Sequence, residues 1–248
     1  MRIRNRLIYR IHDRQIISLA SRYFRGRVID IGCGTKPYAA RLAPFVTEHV
    51  GVDHALCPHG LAAVDLVGTA YAVPAPSESF DCALCTSVLE HLEEPQQALR
   101  ECLRLLRPGG VAIYSVPFLW HLHEEPRDFY RFTRHGLAYL FTRAGFEVVE
   151  IRALSGFFVT FFTLLGYYLY RFNSGPLRWL RLIDAASLIL QLAAAALEHF
   201  TRDERYTWMY MVVARKPSCP GAQSEAAQPG AADPSAGAPF HGLGSCAE

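Results

Sequence analysis

The chain has 248 residues, 51% of them hydrophobic, and its 25 basic and 23 acidic side chains leave a formal charge of +2. That is enough apolar chain for one α/β core with an insertion. The charge is too small for a nucleic-acid footprint, and no basic stripe interleaved with aromatics is present. Seven cysteines, an odd number in a chain whose start is too broken in its apolar pattern to read as an export signal, fit a reducing compartment.

Arg2, Arg4, Arg6, Arg10 and Arg14 make the start basic, and Ile3, Leu7, Ile8, Ile11 and Ile16 with Ile17 recur among them at helical spacing. The spacing predicts an amphipathic helix over 6–23, within an N-terminal element 1–26, that packs beside the first strand; the same pattern also suits a membrane surface. Strand signals then fall near 27–31, 48–53, 80–85, 110–116, 146–151 and 206–214, with an edge strand at 62–65. Helical signals fall at 36–44, 95–105, 133–144 and within 154–200. Such alternation predicts an α/β, doubly wound, mostly parallel seven-stranded sheet with a helical insertion before the last strand. The main domain is expected over 27–153 plus 205–215, the apolar insertion over 154–204, and a Pro-, Gly-, Ala- and Ser-rich disordered tail over 216–248.

The insertion holds 18 uncharged residues from Ala153 to Tyr170, including Phe157, Phe158, Phe161 and Phe162, and 13 more from Ala185 to Leu197. A single membrane crossing would strand the last β-strand on the wrong side. A double crossing would carry Arg171, Arg178 and Arg181 to the far face, against the positive-inside tendency. The insertion therefore reads as a lid, a dimer surface, or a pair of helices in a membrane interface.

The most informative stretch is Val28-Ile29-Asp30-Ile31-Gly32-Cys33-Gly34, followed 19 residues after Gly34 by Asp53 at the end of His49-Val50-Gly51-Val52-Asp53. A buried strand, a glycine turn and an acid at the next strand's end suit a nucleoside whose ribose hydroxyls donate to the carboxylate. Pro37 stands where a dinucleotide fingerprint has its third glycine, and Asp30 would repel a pyrophosphate but attract an ammonium group. A nicotinamide oxidoreductase is disfavoured on both counts.

With these residues the chain resembles the class I S-adenosylmethionine-dependent methyltransferases of the small-molecule type. Asp65, Val73-Pro74, Ser79-Phe80-Asp81, Cys82 to Thr86, Val88-Leu89-Glu90-His91 and Leu106-Arg107-Pro108-Gly109-Gly110 follow in family order. His123-Glu124-Glu125-Pro126-Arg127-Asp128-Phe129-Tyr130-Arg131-Phe132-Thr133 is similar to a block of one bacterial subgroup. The resemblance implies a Rossmann-like methyltransferase fold and S-adenosyl-L-methionine as cofactor. It implies cofactor contacts at Asp30, Gly32, Cys33, Gly34, Asp53, His54, Asp65, Leu66, Thr86 and His91, with Asp65 near the adenine and His91 lining the reaction pocket.

A sulfonium methyl is already activated, so the protein must chiefly align a nucleophile and exclude water. An alcohol acceptor also loses a proton. His123 is the expected general base, Asp128 or Arg131 shapes the acceptor pocket, and His121 lies beside them. The run His121-x-His123-Glu124-Glu125 can be read as metal ligands, but it lacks the partner set of a zinc site, and no metal is expected. Cys82 and Cys85, in one strand and on opposite faces, read as core; Cys33 is the thiol expected to react in an empty site. Thr86-Ser87-Val88 replaces the Asn/Asp-Pro-Pro-aromatic run of enzymes that methylate base amines. The expected activity is methyl transfer, at oxygen, to a small-molecule, glycan or lipid-linked acceptor. It would take place in the cytoplasm, with peripheral contact at the inner membrane face and a homodimer both compatible. The alternative is a non-catalytic cofactor-binding scaffold recruited by its apolar insertion.

Overall fold

The computed structural model describes residues 3–218. From Cys219 onward the expected tail lies outside the described residues. A seven-stranded sheet runs through the molecule in the order β3-β2-β1-β4-β5-β7-β6. Its strands are β1 (Arg27–Ile31), β2 (Glu48–Asp53), β3 (Leu66–Val67), β4 (Phe80–Thr86), β5 (Leu106–Pro117), β6 (Glu147–Ala153) and β7 (Met209–Arg215). The first five pair in parallel, whereas β7 runs antiparallel to both β5 and β6. This is the α/β, Rossmann-like methyltransferase architecture, in which β1 has β2 on one side and β4 on the other. The chain after β1 crosses one way and the chain after β3 the other, so a crevice opens at the carboxyl ends of β1 and β4.

Strands buried on both faces read as continuous apolar runs, and β1 is one. Ile29 and Ile31 face a core with Ala83, Cys85, Tyr114, Leu99, Leu137 and Phe141. The helices on that side are α3 (Pro95–Leu105) and α4 (Arg134–Ala144). Val28, Cys82, Leu84, Ile113 and Val213 face the other core. That side is covered by α1 (Arg6–Tyr23) through Ile8, Ile16 and Leu19 and by the short α2 (Ala39–Leu42) through Leu42. The insertion forms α5 (Phe157–Leu169), α6 (Gly175–Trp179) and α7 (Leu182–Phe200), and it reaches this second core through Val159 and Ala194. Cys82 and Cys85 therefore sit in opposite cores.

Several boundaries differ from the sequence-based expectation, three of them with a local cause. The helix expected over 36–44 contracts to α2, because Pro44 has no N–H with which to continue it. The edge strand begins at Leu66 instead of spanning 62–65, since Asp65 uses its carboxylate on the Gly51 N–H at 2.6 Å and pairing starts only at Val52 with Leu66. The segment expected as a turn before the fifth strand already belongs to β5. There Gly109, at φ +80°, donates to the Lys216 carbonyl at 2.9 Å, and Lys216 donates back to Gly110 at 2.8 Å.

One polar side chain of α1 crosses this apolar layer. His12 is buried, with Nδ1 3.0 Å from the Tyr38 hydroxyl and Nε2 2.9 Å from Ser115 Oγ. Burial lowers its pKa to about 4, against a smaller opposing pull from Asp13. The unfolded chain protonates near 6.5, so this histidine supports folding above that pH and opposes it as pH falls from 6.5 towards 4. The cost approaches about 3 kcal/mol at the acid end. Urea midpoints measured between pH 7.5 and 4 should fall more steeply for the native chain than for His12→Gln, and parallel curves would refute the assignment.

Candidate active site

β1 ends in a turn that only glycine makes without strain: Gly32 has φ +71° and Gly34 φ +51°. A Cβ on Gly32 would lie 2.3 Å from Val88 Cγ2, so the turn after β4 is seated against the turn after β1. The Gly32 and Cys33 N–H groups donate to the Val52 carbonyl at 2.9 and 3.2 Å. Asp53, buried at the end of β2, accepts from Gly34 N–H at 2.9 Å on Oδ2 and from His54 N–H at 2.8 Å on Oδ1. Each oxygen keeps a further lone pair, which is what a ribose diol requires. The glycine turn and this carboxylate fit the nucleoside part of S-adenosyl-L-methionine.

Several other expected cofactor residues have different neighbours. Asp30 is only 2% exposed, and its Oδ2 is 2.9 Å from His49 Nε2. Burial raises its pKa while His49 opposes the shift. The carboxylate expected to meet an ammonium group is thus held by His49 beneath the loop. Asp65 is bound by Lys36 Nζ and the Gly51 N–H, and Leu66, half-buried, opens β3. Thr86 closes β4, half-buried, and His54 accepts from Leu56 N–H at 3.2 Å. Cys33 is buried, and burial, with Asp30 and Asp53 adding to it, pushes its thiol up to about 12. The reactive thiol expected there is corrected to an inert one.

On the far side of Val88, a 3-10 turn at Leu89–His91 aims Glu90 inward. Glu90 is 0% exposed, and neither carboxylate oxygen has a hydrogen-bond partner. Burial raises its pKa to about 8, with Arg131 among the opposing influences. His91 Nδ1–H donates to the Arg127 carbonyl, which leaves a buried, unpartnered Nε2 3.9 Å from Glu90 Oε1. His123 Nε2 lies 3.9 Å from the same oxygen, and the two imidazole centroids are 4.8 Å apart.

The segment after β5 folds over this turn. Phe129 and Tyr130 N–H both donate to the Glu90 carbonyl, at 2.9 and 3.3 Å. The His123 N–H donates to Asp128 Oδ2 at 2.8 Å, and Arg131 grips both oxygens of Asp128 at 2.6 and 2.7 Å. The Arg131 guanidinium holds the Asp128 carboxyl well below the usual carboxylate range. Desolvation lowers the pKa of His123, and the nearby Asp128 opposes that. His123 and Asp128 therefore come together as the sequence suggested. His121 does not join them. It stacks on Trp120 at 4.8 Å and approaches Tyr167 of α5 at 4.6 Å, with its Nδ1–H on the Leu122 carbonyl. Of the run 121–125 that could be read as metal ligands, His123 meets Glu90 and His91, and the ligand atoms of these three lie within 4.8 Å of one another. Sequence reading passed over Glu90 as part of a helix start; an acid between Leu89 and His91 in an otherwise apolar turn was the available signal.

Residues 29–114 match the family described as the methyltransferase domain. A ubiquinone biosynthesis O-methyltransferase of Stutzerimonas stutzeri is 32% identical over 112 residues, which cover 40% of this chain and 46% of the relative. The chain spans about half the length of the curated relatives it matches. Among solved structures, the cyclase SpnF superposes with a TM-score of 0.57 at 22% identity, covering 82% of this chain and 80% of that one. A phosphoethanolamine N-methyltransferase of Haemonchus contortus, in complex with phosphomonomethylethanolamine and S-adenosylhomocysteine, gives 0.51 at 17% identity, covering 79% and 50%. Residues 29–114 thus match a methyltransferase domain, and the chain has the Rossmann-like fold of S-adenosylmethionine-dependent methyltransferases.

Replacing Asp53 by Ala removes the acceptor for two loop N–H groups as well as the partner for the ribose. The expected result is a loss of about 1–3 kcal/mol in S-adenosylmethionine binding by calorimetry, the scale of a charged hydrogen-bond partner. Unchanged affinity would move the ribose contact elsewhere.

Proposed function

We propose that the protein transfers the methyl group of S-adenosylmethionine to a hydroxyl of an apolar, lipid-linked or glycan acceptor at the cytoplasmic face of a membrane. The observation that carries this reading is the Glu90, His91 and His123 cluster at the carboxyl end of β4, one van der Waals contact from the glycine turn through Val88. The cofactor supplies a methyl group already activated by the positive sulfur. What remains is to admit a hydroxyl, align it, and remove its proton in a dry place. Arg131 and Asp128 fix the His123 backbone, the Phe129 and Tyr130 N–H groups fix the Glu90 turn, and the loop so formed shields the cluster from water. Transfer to oxygen is supported by relatives whose names specify O-methylation.

The insertion supports the membrane and the apolar acceptor. Leu182–Phe200 is long and apolar enough to cross a bilayer by length and composition. However, β7 follows it directly into the same sheet as β5. Phe161, Leu165, Ile189 and Leu192 are exposed, as are Trp179 at 82% and Phe200 at 81%. Arg171, Arg178 and Arg181 lie in or beside the connection between α5 and α7. An apolar face edged by arginines suits an anionic membrane interface. Tyr167 of α5 touches His121, which joins this face to the reaction loop. Five cysteines are free among the described residues, in keeping with a reducing compartment.

Two measurements test the reading. With a lipid-linked phenol or sugar acceptor, His123→Ala should lower kcat by about 100-fold, the usual scale of lost acid–base assistance; S-adenosylmethionine affinity should stay within about twofold. An intact kcat would remove His123 from the reaction. In the second, the native chain should sediment with anionic phosphatidylglycerol vesicles, and Ile189→Asp with Leu192→Asp should abolish this without changing cofactor affinity. Retained sedimentation would place the membrane contact elsewhere, and a native chain that never sediments but runs as a dimer would make the face a dimer surface.

A further inference from the structure

We propose that Glu90, His91 and His123 hold a divalent transition-metal ion of the zinc class. The inference deepens the methyl-transfer reading at the same site, but the binding itself stands without it. Two imidazoles and one carboxylate are a donor set of suitable softness for zinc, cobalt or iron. Both Nε2 atoms lie 3.9 Å from the one oxygen, Glu90 Oε1, and all three donors fall within 4.8 Å. Donors around a tetrahedral ion with bonds of about 2.1 Å sit about 3.4 Å apart. Closing the site onto an ion therefore asks each side chain to move by roughly half an ångström.

The surroundings favour a metal over a set of ordinary hydrogen bonds. Glu90 is 0% exposed, and both of its oxygens and the His91 Nε2 are buried without partners. The His91 Nδ1–H is fixed on the Arg127 carbonyl, so the lone pair is on Nε2. His123 Nδ1 lies 3.4 Å from both Asp128 Oδ2 and Arg131 Nη2, and the tautomer with its proton turned to Asp128 puts the lone pair on Nε2 as well. A backbone carbonyl behind one imidazole and a carboxylate behind the other are the outer supports that metal-bound histidines use. The nearest fixed cation, Arg131, is neutralised by its two-pronged grip on Asp128. Glu124 Oε2, 3.7 Å from His91 Nε2 on an exposed side chain, stands at the mouth. Three protein donors would leave a fourth position for an acceptor hydroxyl, whose pKa the ion would lower so that its proton passes to solvent; with the ion bound, His123 serves the reaction as a ligand and not as the base.

The test uses the full-length chain, dialysed against chelator and titrated with Zn²⁺ by calorimetry and with Co²⁺ by visible absorption. Expected are one ion per chain and cobalt d–d bands of a low-symmetry site. His91→Gln and His123→Gln should each weaken binding at least about tenfold. Circular dichroism confirms that the variants are folded, and should either fail to fold, Glu90→Gln takes its place. No binding below about 1 mM, or binding that the folded variants leave unchanged, overturns the proposal. S-adenosylmethionine affinity is measured on the same samples. Cofactor binding without metal binding overturns this site alone, and metal binding without cofactor binding overturns the methyl-transfer reading alone.

Discussion

Val88 fills the space that a side chain on Gly32 would need, and that contact seats the turn after β4 against the turn after β1. The two turns belong to the strands where the sheet reverses its winding, so the crevice opens between them. One turn leads to Asp53 through the Gly34 N–H, the other to Glu90 and His91. A larger residue at Gly32 would have to adopt a positive φ and displace Val88, and both halves would shift together. The distance between cofactor loop and acceptor cluster is thus set by backbone against side chain, with no flexible segment between them.

The second core gives the site its walls. α1 lies on the sheet through Ile8, Ile16 and Leu19, and His12 reaches from it to Tyr38 in the loop after Gly34 and to Ser115 in β5. Asp13 adds a bond from the Tyr38 hydroxyl at 3.2 Å and an ion pair with Arg41. A helix that composition alone presents as a cap therefore also braces the cofactor loop. The insertion joins the same assembly: Gln191 of α7 accepts from Leu7 N–H at 2.8 Å, and Tyr167 of α5 donates to Asn5 at 2.7 Å. Its inner residues are tied to α1 while its outer aromatic face stays exposed. A membrane contact on that face would bear on the reaction loop through Tyr167, Trp120 and His121, whose rings meet.

Sheet, glycine turn and Asp53 were legible because each has a local signature: continuous β-branched runs, glycine where φ is positive, an acid at a strand end. The pairing of His123 with Asp128 was legible for the same reason, since both lie in one loop. The contact of Asp30 with His49 was not legible, because the two lie 19 residues apart and meet only when β1 and β2 pair. Cys33 looked reactive from its place in the loop, yet reactivity follows burial, and its sulfur lies in the space that a side chain on Gly51 would need. Glu90 was hidden by the 3-10 turn. Helical spacing would have carried the side chain outward, and the tighter turn carries it in.

The chemistry of the cluster follows from what is missing around Glu90. A buried carboxylate without a donor costs several kcal/mol, and an apolar residue there would pack without that cost. The histidines do not relieve it as they stand, because His91 turns its Nδ1–H to the Arg127 carbonyl and both Nε2 atoms stop 3.9 Å short of Glu90. Both Nε2 atoms face the Glu90 carboxyl across 3.9 Å, too far for a hydrogen bond, and burial keeps a proton on that carboxyl up to about pH 8. A proton shared within the cluster would satisfy one contact of the three, whereas the proposed divalent ion would satisfy all of them at once and leave a position open for the proposed acceptor hydroxyl.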